Sequence, residues 1–324
     1  MNPSEESHSM ALTHMTGTRI MLTEADETVL RALARFHYLK ANQVSRLLYP
    51  KLSDNDRYAQ RRLKRLTDAD YVLRLRALPT PRYGQPPHVF TLATHGRQHL
   101  VALGVPVRPY FRPSEEARAA ENNPLMTHRL AAIDVLIAAD CLCRDYPVTC
   151  PRMLTERDLK QAPIRVEVPP APHATTEIRR RTAVIPDAWF QLRVADEAPV
   201  SIALELDRGT EDQMVWRQKV AALAVWAVGP YRDAFATDNL TIAVVCPDAT
   251  RRGVLAGWTM RELTGRGQEN LADIFLFTAE SPVATSPSVF FFGHHWHLPY
   301  EASPEALLDQ PPDAASTETP IFAT

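Results

Sequence analysis

The sequence predicts a mixed α/β (α+β) protein built from two domains in series. Its 324 residues are 45% hydrophobic and 23% charged, which is ordinary for a globular chain and enough for two cores. Helical periodicity followed by a strand pair marks residues 20–104, whereas residues 127–300 alternate helices with strands. The polar ends, 1–19 and 301–324, are predicted to be disordered, and the proline-bearing segment 105–126 to be a linker.

Charge and cysteine content say little about a partner but favour a reduced setting. The formal net charge is -2, and a basic region can be hidden by an acidic one, so local charge matters more. The 4 cysteines and the polar start predict a cytoplasmic protein, and no apolar run is long enough to predict a membrane span. Whether the chain forms a homodimer stays open, because periodicity does not single out an exposed apolar face.

The first domain begins with three short helices. Thr23 and Asp26 have the spacing of a capping box, which predicts that a helix begins there. Ala41–Leu48 predicts a second helix, which ends before Pro50 because proline does not continue a helix. A third helix is predicted to run to about Asp68.

The third helix has the pattern of a DNA recognition helix. Tyr58, Leu63 and Leu66 are predicted to form its buried stripe, which leaves the basic side chains on the exposed sides. A helix of this kind suits an anionic groove. The predicted DNA-binding residues on it are Arg57, Gln60, Arg61, Lys64 and Arg65.

A strand pair follows this helix. Tyr71–Arg76 and His88–Leu92 are predicted strands joined by a turn rich in proline and glycine, and a helix over Thr94–Leu103 closes the unit. Three helices and a hairpin predict a winged helix-turn-helix domain that binds double-stranded DNA, although a basic helix in a small packing domain remains the alternative. The predicted wing contacts to phosphates are Arg74, Arg76 and Arg82.

In the second domain, acidic residues cluster on two predicted strands. Ile202–Asp207 alternates apolar and acidic residues, which predicts a strand with one buried face and with Glu205 and Asp207 on the same side. An antiparallel partner strand over Ala183–Leu192 would bring Asp187 to them. Three carboxylates in contact raise one another's pKa unless a divalent cation or a cationic partner neutralises them. Asp187, Glu205 and Asp207 are therefore a candidate metal site.

The rest of the second domain predicts an α/β sheet. A mostly apolar helix covers His128–Asp140, and a further helix covers Asp212–Val228. Leu240–Cys246 and Ile274–Thr278 are predicted strands separated by a helix over Thr250–Leu263. Together these elements predict a mixed sheet with helices packed against it.

A proline-rich and then basic stretch, residues 162–181, precedes the acidic strands. It predicts a flexible hairpin or an excursion beside the acidic cluster. Its three consecutive arginines, residues 179–181, could guide a polyanion to the site or could simply be solvated, and the sequence favours neither interpretation.

These motifs resemble two known groups of proteins. Pro186-Asp187 followed by Glu205-Leu-Asp207 resembles the core of the PD-(D/E)xK nuclease superfamily. The longer string Leu204-Glu-Leu-Asp-Arg-Gly-Thr-Glu211, with the preceding predicted winged helix, resembles the plasmid replication-relaxation family over most of residues 22–278. The resemblance implies a DNA-associated protein of a plasmid or mobile element, linked to replication and to the topological or nicked state of the DNA.

The resemblance also assigns roles. Asp187 and Glu205 match the metal-binding carboxylates, whereas Asp207 stands where the nuclease motif has lysine. Lys219 on the next helix is the candidate replacement for that lysine. With Lys219 in this role, the resemblance implies Mg²⁺-dependent DNA cleavage, with Mn²⁺ as a substitute. Alternatively, arginines at 208, 217 or 179–181 pair with the acidic residues, and the protein is an inactive regulator or replication accessory whose second domain mediates interaction or oligomerisation.

Overall fold

The structure is a computed structural model that describes part of the chain in detail. The chain divides into two compact units, residues 1–122 and 123–324. Each unit has its own helices, sheet and core. The described residues are 20–49, 55–76, 87–107, 125–170, 180–300 and 302–309.

The helices of the first unit confirm the sequence prediction. The capping box at its start is present, because the Thr23 N–H donates to Asp26 Oδ2 at 2.8 Å and the Asp26 N–H donates to Thr23 Oγ1 at 3.3 Å. The predicted stop at Pro50 lies outside the described residues. In chain order the helices are α1 (Glu24–Phe36), α2 (Ala41–Leu48), α3 (Asn55–Asp68) and α4 (Thr94–Ala102).

A small antiparallel sheet completes the first unit. It contains β1 (Leu39–Lys40), β2 (Val72–Leu75) and β3 (Val89–Leu92), with β3 in the middle. The predicted hairpin of β2 and β3 is therefore confirmed, with Val72 opposite Leu92. Arg82 in the connection between them lies outside the described residues.

One side chain of α3 contradicts the predicted buried stripe. Leu63 and Leu66 are buried, but Tyr58 is 48% exposed, and Ala59 is buried beside it. The prediction for Tyr58 is wrong because position 59, rather than 58, falls on the face that packs inward. A small residue there brings the start of the helix close to its neighbours.

The strands of the second unit form a hairpin and a larger mixed sheet. The strands are β4 (Val148–Thr149), β5 (Met153–Thr155), β6 (Ile164–Val168), β7 (Arg180–Val184), β8 (Ala188–Val194), β9 (Val200–Leu206), β10 (Thr241–Val245) and β11 (Phe275–Thr278). The larger sheet runs in the order β11-β10-β9-β8-β4, with β5 also paired to β8. β10 is parallel to β9 and β11, whereas β8 is antiparallel to β9, which confirms the predicted mixed sheet.

Helices pack on this sheet. The helices are α5 (Met126–Asp145), α6 (Glu156–Leu159), α7 (Gln213–Val228), α8 (Tyr231–Phe235), α9 (Ala249–Gly265), a 3₁₀-helix (Glu269–Ile274) and α10 (Pro287–Phe292). α7 shares a core with Trp189, Ala203 and Ile242, whereas α5 packs against β8 and β9. No helix in the described ranges has the length and apolar character needed to cross a lipid bilayer.

Two predicted strands differ from the structure. The predicted strand over Ala183–Leu192 is split, because β7 ends at Val184 and β8 begins at Ala188. Pro186 lies in the gap, where a residue without an N–H cannot continue a strand ladder. β9 is buried on both faces rather than one, because a helix covers each side of it. Glu205 within this strand and Asp207 directly after it are therefore removed from water.

Two predicted loop regions also have more structure than expected. β6 and β7 pair as an antiparallel hairpin, as one of the two interpretations of residues 162–181 predicts. Residues 302–309, predicted to belong to a disordered tail, bury Leu307 and Leu308. Apolar side chains at these positions supply contacts that the surrounding proline-rich and acidic composition did not indicate.

Candidate active site

Asp187 lies beside Glu205 because of the register of β8 and β9. The Asp187 N–H donates to the Leu204 carbonyl at 2.9 Å, and Ala188 pairs with Leu204, so the register places Asp187 opposite Glu205. The Leu206 N–H donates to Asp187 Oδ2 at 2.8 Å. The carboxylate of Asp187 is thereby anchored to the backbone of the neighbouring strand at the end of the sheet.

Lys219 reaches the same place from α7. Its Nζ donates to Glu205 Oε2 at 3.0 Å and to Glu211 Oε1 at 2.6 Å. Burial raises the pKa of Glu205 to about 7, against the opposing effect of the Lys219 ammonium. Burial alone would lower the pKa of Lys219, but Glu205 and Glu211 raise it above its usual value, so the ammonium stays charged.

His128 is a member of the cluster that sequence reasoning missed. It lies in the first turn of α5, and its Nε2 is 2.8 Å from Asp187 Oδ1. This hydrogen bond raises the pKa of His128, although burial opposes it. The signal available in the sequence was the polar pair His128-Arg129 at the start of an otherwise apolar helix, and it does not indicate which strand end that helix approaches.

Asp207 is turned toward a different partner. Arg251 in the first turn of α9 contacts it with two parallel bonds, Nε to Oδ2 at 2.7 Å and Nη2 to Oδ1 at 2.9 Å. Burial raises the pKa of Asp207, but these bonds and the Gly209 N–H more than offset it and lower the pKa overall. The structure therefore brings together Asp187, Glu205 and Lys219, and it places Asp207 in an ion pair.

The partners expected for the acidic residues are also different. Arg208 is exposed, and Arg217 pairs with Glu262, with its Nε 2.6 Å from Oε2. No local pattern indicated Arg251 as a partner, because it lies 44 residues beyond Asp207 and belongs to another helix.

The predicted DNA-binding residues of the first unit divide into two groups. Arg65 is partly buried, with 41% of its side chain exposed, and its Nη1 lies 3.2 Å from Asp26, so it is held against α1. Arg62 donates to the same carboxylate, because residues 62 and 65 are about one helical turn apart and therefore both face α1. The exposed group consists of Arg57, Gln60, Arg61, Lys64, Arg74 and Arg76.

A family comparison covers much of both units. The family model described as replication-relaxation matches residues 30–227, which is more than half of the chain. The chain belongs to the replication-relaxation family. The matched range includes Asp187, Glu205 and Lys219, and membership indicates a role in replication or relaxation of a plasmid or other mobile element. No curated protein and no solved structure matches the chain.

The candidate metal ligands in this replication-relaxation protein are the neighbouring carboxylates of Asp187 and Glu205. Among the residues that the structure describes, no group of three or more His, Cys, Asp and Glu side chains is arranged to hold a metal. Mg²⁺, however, is commonly bound through one or two carboxylates and keeps several waters. The two carboxylates that could supply such ligands are Asp187 and Glu205, and burial raises the pKa of Glu205 to about 7.

Proposed function

We propose that this protein binds DNA of a plasmid or mobile element through its first unit and nicks it at the Asp187–Glu205–Lys219 cluster. The observation that supports cleavage is the convergence of these side chains from β8, β9 and α7, with Lys219 Nζ 3.0 Å from Glu205. Two carboxylates and a permanently charged amine provide what phosphodiester hydrolysis requires of side chains.

Each residue has a distinct role in the proposed reaction. Asp187 and Glu205 would hold Mg²⁺ or Mn²⁺, which when bound polarises the phosphate and lowers the pKa of a bound water. The Leu206 N–H and His128 fix the orientation of the Asp187 carboxylate. Lys219 lies where its ammonium can bind a non-bridging phosphate oxygen. Hydrolysis then adds the oxygen of water to phosphorus and breaks one ester bond, which leaves a phosphate monoester and a hydroxyl.

The first unit supports DNA binding through its distribution of charge. α3 presents Arg57, Arg61 and Lys64 to solvent, and β2 presents Arg74. Basic residues on a helix and on an adjacent hairpin match the two elements that a winged helix presents to duplex DNA. Phosphate contacts of this kind give affinity that falls with salt and is independent of the chemistry in the second unit.

A second function, binding without cleavage, is favoured by one specific observation. Asp207 stands where the nuclease motif has lysine, and its pairing with Arg251 gives it a structural role. Glu205 is likewise paired with Lys219, and Asp187 with His128. A cluster in which each carboxylate has a hydrogen-bonded partner can be stable without a metal.

Conversion of supercoiled plasmid separates the two functions. The intact protein is incubated with plasmid in Mg²⁺, in Mn²⁺ or in EDTA, beside Asp187→Asn, Glu205→Gln and Lys219→Met. Nicking that requires the metal and is lost in all variants, with gel-shift affinity retained, supports cleavage. Exposed Glu197→Gln in the same unit is the matched control and should nick at the normal rate. Binding without nicking in either metal would leave the second function.

A further inference from the structure

An open cleft in the second unit leads to the cluster. It has a volume of about 800 Å³, and Glu205 and Lys219 form part of its lining. The hairpin of β6 and β7 supplies one wall, α7 another, and the end of α9 carries Glu262 and Arg266 into it. The cleft therefore continues the candidate active site along α7.

Three arginines line this cleft away from Lys219. Arg217 Nε and Arg266 Nε each lie 2.6 Å from a different oxygen of Glu262, a buried carboxylate that holds both guanidiniums in place. Arg180 on β7 is exposed and donates to the neutral side chain of Gln218. Glu262 and Asp212 are the acidic residues of the lining besides Glu205, so three guanidiniums face two carboxylates there. The wall has an excess of positive charge.

The guanidiniums retain capacity to bind an anion. Each arginine has five N–H donors, and the contact with Glu262 uses the Nε–H of Arg217 and of Arg266. Arg266 also donates from Nη1 to the Pro169 carbonyl at 2.9 Å and is only 12% exposed, so the spare donors belong mainly to Arg217 and Arg180. Arg217 is 42% exposed, so it can meet a ligand phosphate without leaving Glu262. Because Glu262 already orders both side chains, little conformational entropy remains to be lost on binding.

Size and apolar lining indicate the form of the anion. A cleft of about 800 Å³ is within the range that encloses a compact ligand or a few nucleotides, which favours a single strand over the bulkier duplex. Pro169, Pro170 and Met214 add apolar surface, and Met214 is 65% exposed. Proteins bind single strands by combining a basic groove with side chains on which the bases stack, usually aromatic ones. In this cleft the two prolines and Met214 are the apolar side chains that could contact the bases.

We propose that the cleft binds a single strand of DNA, whose phosphates contact Arg180 and Arg217 and lead one phosphodiester to Glu205 and Lys219. This inference rests on the proposed function, and it adds the form of the substrate. The first unit holds duplex DNA, and the cleft of the second unit takes up a segment of one strand that has separated from its complement.

Binding in EDTA tests the cleft without any cleavage. Fluorescence anisotropy measures the affinity of the full-length protein for a labelled single strand of about 12 nucleotides and for the same sequence as a duplex. Arg180→Ala and Arg217→Gln are expected to weaken single-strand binding by at least about threefold and to lower its salt slope by roughly 0.7 for each phosphate that the variant no longer neutralises. Duplex binding should stay within experimental error.

The matched control is Arg193→Ala on β8. Arg193 is exposed and belongs to the same unit, and its replacement removes the same charge, but it does not line the cleft. The melting temperature of each variant shows whether it is folded, and Arg180→Ala, at an exposed position, keeps the test valid if Arg217→Gln unfolds.

Two outcomes would overturn the proposal. One is a single-strand affinity that is unchanged in both cleft variants. The other is a loss that is not specific, in which the cleft variants lose as much affinity for the duplex as for the single strand and Arg193→Ala loses as much as they do. Because the binding assay contains no metal, its result does not depend on whether the protein nicks plasmid DNA. An unaffected single-strand affinity with intact nicking would reject single-strand binding in the cleft and leave the proposed cleavage unchanged.

Discussion

At the residue scale, Asp26 determines how the first unit is held together. It is completely buried, accepts hydrogen bonds from Thr23, and lies 2.6 Å from Arg62 and 3.2 Å from Arg65. Burial raises its pKa, but the bonds from Thr23 and Arg62 more than offset this and lower the pKa overall. One carboxylate thus caps α1 and ties α3 to it.

Replacement of Asp26 by asparagine should destabilise the first unit by about 2 kcal/mol, because it leaves two arginines beside a neutral side chain. The lowered pKa means that the ionised carboxylate stabilises the fold above the unfolded pKa of about 3.9, and that this stability is lost as the pH falls through the folded value. Urea unfolding at pH 7 and near pH 3 measures both effects. The difference between wild type and Asp26→Asn should shrink at the lower pH.

Asp68→Asn is the control for this measurement. Asp68 is exposed and pairs with Lys64 within α3, so its replacement should change the free energy of unfolding by less than about 0.5 kcal/mol. A gap between wild type and Asp26→Asn that is as large near pH 3 as at pH 7 would show that the charge of Asp26 is not the source of the stability.

At the element scale, the loop from β9 to α7 depends on one ion pair, between Asp207 at the end of β9 and Arg251 on the distant helix α9. Arg251 contacts both carboxylate oxygens of Asp207 and also donates to the Glu211 carbonyl at 2.6 Å. Gly209, with a φ of 79°, allows the chain to turn back between these two contacts. Glu211 is thereby held where its side chain meets Lys219 at 2.6 Å.

Arg251→Ala should destabilise the second unit by about 3 kcal/mol, because it leaves the buried Asp207 without its charged partner. The double variant Asp207→Asn with Arg251→Gln should recover part of that loss, since it leaves no unpaired charge. Thermal and urea unfolding measure the three chains, with neighbouring Arg252→Ala as the control for loss of one arginine from α9. A double variant that is less stable than Arg251→Ala would contradict this explanation.

The elements were predictable from local patterns, and the partners within the site were not. Periodicity and caps place α1, α2 and β9 within a residue or two of their observed bounds, because those signals lie within each segment. Asp187 and Glu205 follow from strand register. His128 and Arg251 come from distant helices whose packing no short stretch of sequence specifies. Their contacts also explain why Asp207 differs in role from its neighbour Glu205.

At the scale of the whole molecule, the proposed function assigns DNA binding to the first unit and cleavage to the second. Arg62 and Arg65 pair with Asp26, whereas Arg61 and Lys64 are exposed on α3. These side chains, rather than Arg65, are therefore expected to contact phosphates. Arg65 instead contacts Asp26 and supports the fold of the first unit.

Replacing Arg61 and Lys64 together by alanine should weaken duplex binding and lower the slope of log K against log salt by about 1.8, because each phosphate contact contributes roughly 0.9. Fluorescence anisotropy with a duplex over a series of KCl concentrations measures this slope, and melting temperature should change little because both side chains are exposed. Arg65→Ala should show the reverse, with a lower melting temperature and an unchanged slope. A slope that falls for Arg65→Ala but not for the double variant would place the duplex on a different face of α3.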